Sequence, residues 1–150
     1  MQLTYSVKPF VELSLTELYR ILQLRQEVFV VEQDCPYLDA DDKDQVSIHV
    51  LGTDGKGVLH SYTRLVPPGI SYQTYISIGR VVTSAASRGM GVGIELMHKS
   101  IAACRNTWPG LPIKISAQQH LIDFYQKFGF VPVGEGYLED DIPHIAMVLA

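Results

Sequence analysis

The feature that most constrains this chain is a β-branched, aliphatic run, Thr74 to Thr83, that leads within a few residues into Arg88-Gly-Met-Gly-Val-Gly93. Such a run reads as a buried central strand. The polar linker Ser84 to Gly89 carries it into a helix from about Gly91 to Arg105. Glycines at 89, 91 and 93 remove side chains from the turn, so several backbone amides can face one point. Those amides and the helix N-terminus make an anion site, and Arg88 adds a fixed charge beside it. A pyrophosphate is the natural occupant.

Spacing separates this segment from two common nucleotide motifs. A P-loop ends in Gly-Lys-Ser/Thr, and this turn does not. A dinucleotide fingerprint reads G-x-G-x-x-G with an acid about 20 residues later. Here the glycines read G-x-G-x-G, and Gly110-Leu111-Pro112 stands at that distance. Glycines alone also suit a tight connection, so the rest of the chain must decide.

Thr4 to Val7 reads as a short strand. Ser14-Leu-Thr-Glu17 has capping-box spacing and opens a helix whose face carries Leu18, Ile21, Leu22, Val28 and Phe29, with Arg25 in its middle. Val31 to Gln45 reads as a loop. Ser47 to Thr53 and Lys56 to Val66 flank Asp54-Gly55 as a hairpin. The helix after the glycine turn is expected to bury Ile94, Met97, Ile101 and Cys104 and to expose Glu95 and Lys99. Ile113 to Ser116 is a strand, Gln118 to Phe128 a helix closed by Gly129, and Val131 to Glu135 and Ile145 to Leu149 the last strands. The order β-α-β-β-β-α-β-α-β-β makes one α+β domain over residues 1–150.

Bulk properties exclude several classes. The net charge is −4 with no Lys/Arg cluster, which argues against nucleic acid as partner. No apolar run approaches a membrane span, and MQLTYSVKPF lacks the regions of a signal peptide. Cys35 and Cys104 are too few for a disulfide framework and suit a reducing cytoplasm. Metal ligation is not expected: no Cys/His spacing suggests zinc, and Asp39 to Asp44 fails the EF-hand pattern because Lys43 replaces an acid and Asp44 the glycine.

Two motifs together resemble the GNAT acetyltransferases. Arg88, Gly91 and Gly93 match Q/R-x-x-G-x-G/A directly after a strand, and Tyr125, Gly129 and Phe130 match Tyr-x-x-x-Gly-Phe. Gln118 stands where an Asn is usual. Over nearly the whole chain the sequence is similar to the ElaA-like branch of that family. The carrying segments are Leu24-Arg25-x-x-Val28-Phe29-Val30-Val31-Glu32-Gln33, Cys35-Pro36-Tyr37-x-Asp39-x-Asp41, Ile78-Gly79-Arg80-Val81, Ser116-Ala117-Gln118-x-His120-Leu121 and Glu139 to Met147. It departs from the branch in a short connection before His49, and in Thr63, where a small Ala is usual.

The resemblance implies the GNAT fold: a mixed, mostly antiparallel sheet splayed between two parallel strands and flanked by helices. It implies acetyl-CoA as co-substrate, held in the split. Backbone groups of Val81, Val82 and Thr83 would pair with the pantetheine arm, and amides around Arg88, Gly89, Met90, Gly91, Val92 and Gly93 would hold the pyrophosphate. Gln118 joins the coenzyme set. Tyr125 would donate a proton to the leaving sulfur. The acceptor would be a small-molecule or peptide amine, and a homodimer is compatible with the sequence. Two other readings stay open: a non-catalytic acyl-CoA-binding module, and an enzyme like the acyl-homoserine-lactone synthases, which Leu24-Arg-x-x-Val-Phe and the acidic loop also resemble.

On the acceptor side the chain offers Arg25, Phe29, Glu32, Arg80 and His144. Buried guanidiniums must be paired, so Arg25, Arg64 and Arg80 are expected mainly to pin the Val31–Gln45 loop through Glu32, Asp39, Asp41 or Glu139. Asp39–Asp44 and Glu139–Asp141 could form an acidic rim that attracts a cationic amine. Glu32, Glu139, His120, His144 or a water chain could each serve as base.

Overall fold

A computed structural model describes residues 1–150. The strands are β1 (Thr4–Pro9), β2 (Ile48–Thr53), β3 (Leu59–Val66), β4 (Ile76–Thr83), β5 (Ile113–Gln118), β6 (Val131–Glu139) and β7 (Ile142–Leu149). They form one sheet in the order β1-β2-β3-β4-β5-β7-β6, antiparallel everywhere except between β4 and β5. The helices are α1 (Leu15–Arg25), α2 (Val92–Thr107) and the short α3 (Ile122–Gln126).

Ser14 caps α1 as its spacing requires: Ser14 Oγ accepts from the Glu17 amide, and the Glu17 carboxylate accepts from the Ser14 amide. The helix does not stop at Arg25. It continues as a wider π-helical stretch, Gln26–Glu32, so the expected loop begins only after Glu32 and ends in a 3-10 turn at Asp44–Val46. The wider turn carries Val28, Phe29 and Glu32 round to the mouth of a cleft in the sheet.

Side chains alternate across the sheet and build two cores. One holds Ile21, Leu24 and Val28 against Leu51, Tyr62 and Val82. The other holds Leu96, Met97 and Cys104 of α2 against Val50, Leu65, Ile76 and Ile78. The α2 stripe differs from expectation: Ile94 is exposed, and Val92, Leu96, Ser100 and Ala103 are buried. The helix starts one residue later and is rotated by its packing on β3. Thr63, the departure from the family's small residue, points into this contact. Its hydroxyl donates to Ser100 Oγ (2.6 Å), which in turn donates to the Leu96 carbonyl (2.8 Å), so neither buried hydroxyl is orphaned.

Strand β4 is irregular where it matters. Tyr62 pairs with Val82 and Arg64 with Gly79, so Arg80 and Val81 together oppose the single residue Thr63. This is a β-bulge, with Arg80 at φ 51°. It reverses the side-chain alternation: Ile78 packs in one core and Val82 in the other, although a regular strand would put both on one face. The far end of β4 is held by His60, whose Nδ1 hydrogen-bonds with Ser84 Oγ (2.8 Å) while Nε2 donates to Asp54 (3.0 Å).

Three other expectations shift. Strand β5 extends to Gln118, and residues Gln119–Leu121 form a single 3-10 turn, so the expected helix from Gln118 shrinks to α3. Strands β6 and β7 run on to meet at Asp140 and Asp141, whose positive φ values make the hairpin turn. A testable consequence concerns Gly52 of β2. A Cβ there would collide with Ser61 Oγ and lie 2.8 Å from the Tyr5 ring, two groups that hydrogen-bond to each other. Gly52→Ala should lower the free energy of unfolding by about 1–3 kcal/mol, read from denaturant midpoints.

Candidate functional site

The parallel pairing of β4 and β5 lasts for two residue pairs, Ile76 with Ile113 and Ser77 with Lys114. Beyond them the strands diverge, and a cleft of about 720 Å³ opens between them. Val81, Val82 and Thr83 line one wall, and Ser116, Gln118, Tyr125 and His144 line the other. On the cleft side this stretch of β4 has no strand partner. Its backbone groups stand as a free edge inside the fold.

The glycine turn adjoins that edge. Gly89 and Gly91 have φ of 76° and 73°, in the left-handed region where only glycine is at ease, and a Cβ on either would meet nothing within 4 Å. Gly91 is the N-cap of α2 and makes no side-chain capping bond, so the first amides of the helix lack side-chain partners. Gly89, Met90, Gly91, Val92 and Gly93 do not line the cleft; Arg88 does. Arg88 donates to the Thr83 carbonyl (3.2 Å) and pairs with Glu32 at 2.8 Å, so the π-helical stretch is clasped to the end of β4.

Tyr125 is 6% exposed and packs edge-on against Phe124 and Phe130. No protein group shares its hydroxyl, and burial alone pushes its pKa up to about 12. The phenol therefore keeps its proton at neutral pH. Gly129, at φ 97°, makes the turn that brings Phe130 beneath it.

The three arginines join one network. Arg25, with 0% exposure, donates from Nε to Asp39 (2.8 Å) and from Nη1 to Asp44 (2.7 Å). Arg64 donates to both oxygens of Asp41 (2.7 and 2.8 Å) and to Asp44 (3.0 Å). Arg80, held at its strained φ, lies 2.9 Å from Asp39 and 3.3 Å from Asp41. Arg25 does not reach the cleft, which corrects its place among the acceptor contacts: Asp39 and Asp44 enclose it completely. Asp44, absent from the expected partners, bridges two guanidiniums; of those expected, Glu32 pairs with Arg88 instead, and Glu139 accepts from Ser116 Oγ. Asp39 and Asp44 turn inward as counter-ions, and Asp41 lines the cleft with its charge met by Arg64 and Arg80, so this loop offers the cleft no unpaired carboxylate. Burial opposes ionisation of Asp41, but the Arg64 hydrogen bonds and charge outweigh it and hold the pKa at about 2. Asp44 is likewise depressed, as Arg25 and Arg64 outweigh its burial.

Of the remaining expected residues, Phe29, Glu32, Arg80, His120 and Glu139 also line the cleft. Tyr72 and Ser116 join them without having been singled out for the site; Tyr72 sits in a Pro/Gly-rich stretch with no periodicity. No cluster of three or more His, Cys, Asp or Glu is arranged to hold a metal, and no helix is long and apolar enough to cross a membrane.

Comparison with known proteins agrees with this architecture. Residues 45–150 match the family described as acetyltransferase (GNAT) domain. Protein ElaA of Escherichia coli K12 is 46% identical over 138 residues, covering 91% of this chain and 89% of that protein. The crystal structure of Escherichia coli ElaA superposes with a TM-score of 0.91 at 43% identity, over 98% of this chain and 99% of the other. An acyl-CoA N-acyltransferase from Pseudomonas aeruginosa superposes with a TM-score of 0.94 at 46% identity, over 99% of this chain and all of the other (100%).

The arginine network makes a pH-dependent contribution that can be measured. Depressed carboxyl pKa values stabilise the fold above the unfolded value of 3.8 and cease to do so as pH falls through the folded value. Asp44→Asn should cost about 3–5 kcal/mol at neutral pH, because two buried guanidiniums lose their shared anion. The gap from the unaltered chain should narrow as pH falls below 3.8, seen in denaturant titrations across that range.

Proposed function

The chain belongs to the acetyltransferase (GNAT) family and is an N-acyltransferase, and we propose that it moves an acetyl group from acetyl-CoA to a primary amine by direct attack. The observation that carries this reading is the free edge of β4 at Val81–Thr83, facing the Tyr125 phenol across one cleft. An unpaired strand edge offers amides and carbonyls at fixed spacing to any extended chain with amides of its own. The pantetheine arm is such a chain.

The residues fit the remainder of the coenzyme as well. The uncapped start of α2 and the left-handed glycines present amides with no side chain in the way, which suits a pyrophosphate. Arg88 supplies a cation beside them, although Glu32 shares it. Gln118, at the end of β5, lines the cleft and carries a side-chain amide able to donate and accept. Acetyl-CoA supplies the activated acyl group; the protein supplies position and protons.

Tyr125 donates to the sulfur as it leaves. Its raised pKa suits it to holding the proton until negative charge develops nearby. On the acceptor side, Arg64 and Arg80 are neutralised by aspartates, whereas Glu139 and Asp140 line the cleft without an arginine or lysine partner and outnumber the one cation there without a carboxylate, Lys43, which bonds Ser71. That balance favours a cationic amine over an anionic one. Phe29 contributes an apolar surface beside the same opening.

Two substitutions divide the roles. Tyr125→Phe should lower turnover by roughly 10²–10⁴-fold with acetyl-CoA affinity nearly unchanged, as expected for a lost proton donor. Gly91→Asp should weaken acetyl-CoA binding, through an unfavourable backbone at φ 73° and charge repulsion. Calorimetric titration and thiol release with a panel of amines read both; full activity in the first or full affinity in the second removes that residue from the account.

A further inference from the structure

His144 is 6% exposed, lines the cleft, and is the β7 register partner of Gln118 on β5. Its Nδ1 lies 2.7 Å from the Ile142 carbonyl oxygen. A carbonyl can only accept, so Nδ1 must carry the proton, and in the neutral ring Nε2 presents a bare lone pair. The ring is fixed in this pose. It stacks on Tyr137 at 6.2 Å with 19° between planes, while the Gln119 side chain secures the backbone behind it by donating to the His144 main-chain carbonyl at 3.1 Å.

Nε2 faces Glu139 Oε2 at 3.5 Å. Both atoms are acceptors while the imidazole is neutral, so nothing bonds them to each other. Two acceptors held together at the wall of a cleft are completed by a donor with at least two N–H groups. The second Glu139 oxygen is anchored separately, accepting from Ser116 Oγ at 3.3 Å, and Ser116 is hydrogen-bonded to the Tyr137 hydroxyl. Glu139 is the only charged side chain within ion-pair distance of His144. Tyr137 of β6 stacks on the ring, and the strand residue opposite His144 in the β5–β7 register is the uncharged Gln118.

We propose that His144 Nε2 and Glu139 Oε2 form the seat for the acceptor's ammonium group, with His144 as the general base of the transfer and Glu139 as the residue that stabilises the resulting imidazolium. This rests on the transferase reading above. The ammonium gives one proton to Nε2. The freed nitrogen lone pair forms the C–N bond at the thioester carbon, the C–S bond breaks, and the sulfur takes the Tyr125 proton. The nitrogen loses its second proton as the amide forms, which restores the phenol, and the imidazolium proton leaves to solvent. One proton is released per amide and thiol formed. An acceptor with a primary ammonium uses both seats, and an amine that is neutral at assay pH needs neither.

The test uses the full chain with His144→Gln and Glu139→Gln. Nitrogen NMR of the unaltered protein should show that the neutral form of His144 carries its proton on Nδ1; a neutral form protonated on Nε2 would overturn the proposal, whatever the acceptor. Kinetics then use alkyl amines that the unaltered protein acetylates, with an aryl amine for comparison. His144→Gln should lower kcat/KM for the alkyl amines by roughly 10²–10⁴-fold at neutral pH and abolish the acid limb of the pH profile. Its effect on the aryl amine should be less than about tenfold. Glu139→Gln should keep the limb and move it to lower pH, a change that a purely structural role would not produce. An unchanged limb in both variants sinks the base assignment while leaving the transferase reading intact. Absence of acetyl-CoA binding to the unaltered protein, measured by calorimetry, defeats the transferase reading instead and the base with it.

Discussion

Everything in this molecule depends on the point where β4 and β5 stop pairing. Two residue pairs hold the parallel strands together, and then the sheet splits. A split sheet exposes backbone donors and acceptors that water or a ligand must satisfy. The fold supports that opening from both sides. The Arg80–Val81 bulge turns β4 away from its regular course, and β5 continues into its antiparallel ladder with β7, six register pairs long. The cleft is thus a consequence of strand pairing, and the connections after Glu32 and after β3 complete its lining.

The buried arginines serve this geometry from the other direction. Arg25 comes from α1, Arg64 from β3 and Arg80 from the bulge, and all three converge on Asp39, Asp41 and Asp44 of a single connection. The connection that follows the π-helical stretch is thereby fixed to the sheet beside the cleft. The Arg88–Glu32 pair fixes the stretch itself. An arginine at a positive φ is costly, and Arg80 is held there by two carboxylates and the Tyr37 ring. Strain in the bulge and pairing in the loop are two parts of one arrangement.

Local chemistry was readable in the sequence wherever it was self-contained. The Ser14 cap needs residues three apart, and the glycine turn needs only its own backbone, so both appear where the pattern puts them. The element order and the family followed from such segments. Features set by tertiary contact were not readable in this way. Nothing in Ile78-Gly-Arg-Val-Val-Thr83 announces a bulge, because it arises from register against β3. The π-helical continuation hid behind a sequence that a loop would also accept. The α2 stripe rotated because packing on β3, with Thr63 and Ser100 sharing a hydrogen bond, outweighed simple apolar spacing. Arginine pairing was foreseeable from the cost of buried charge, but the choice of Asp44 over Glu32 and Glu139 depended on where the chain folds back. His144 and Glu139 were individually visible; their mutual distance was not.

The central claim is that the open edge of β4 is the seat of the acyl donor. Amide hydrogen exchange, followed residue by residue with and without acetyl-CoA, measures it directly. The account predicts slowed exchange on binding at Val81–Thr83 and at the first amides of α2, with little change along β1 and β2. Protection confined to other surfaces, with Val81–Thr83 unchanged under saturating acetyl-CoA, would contradict it.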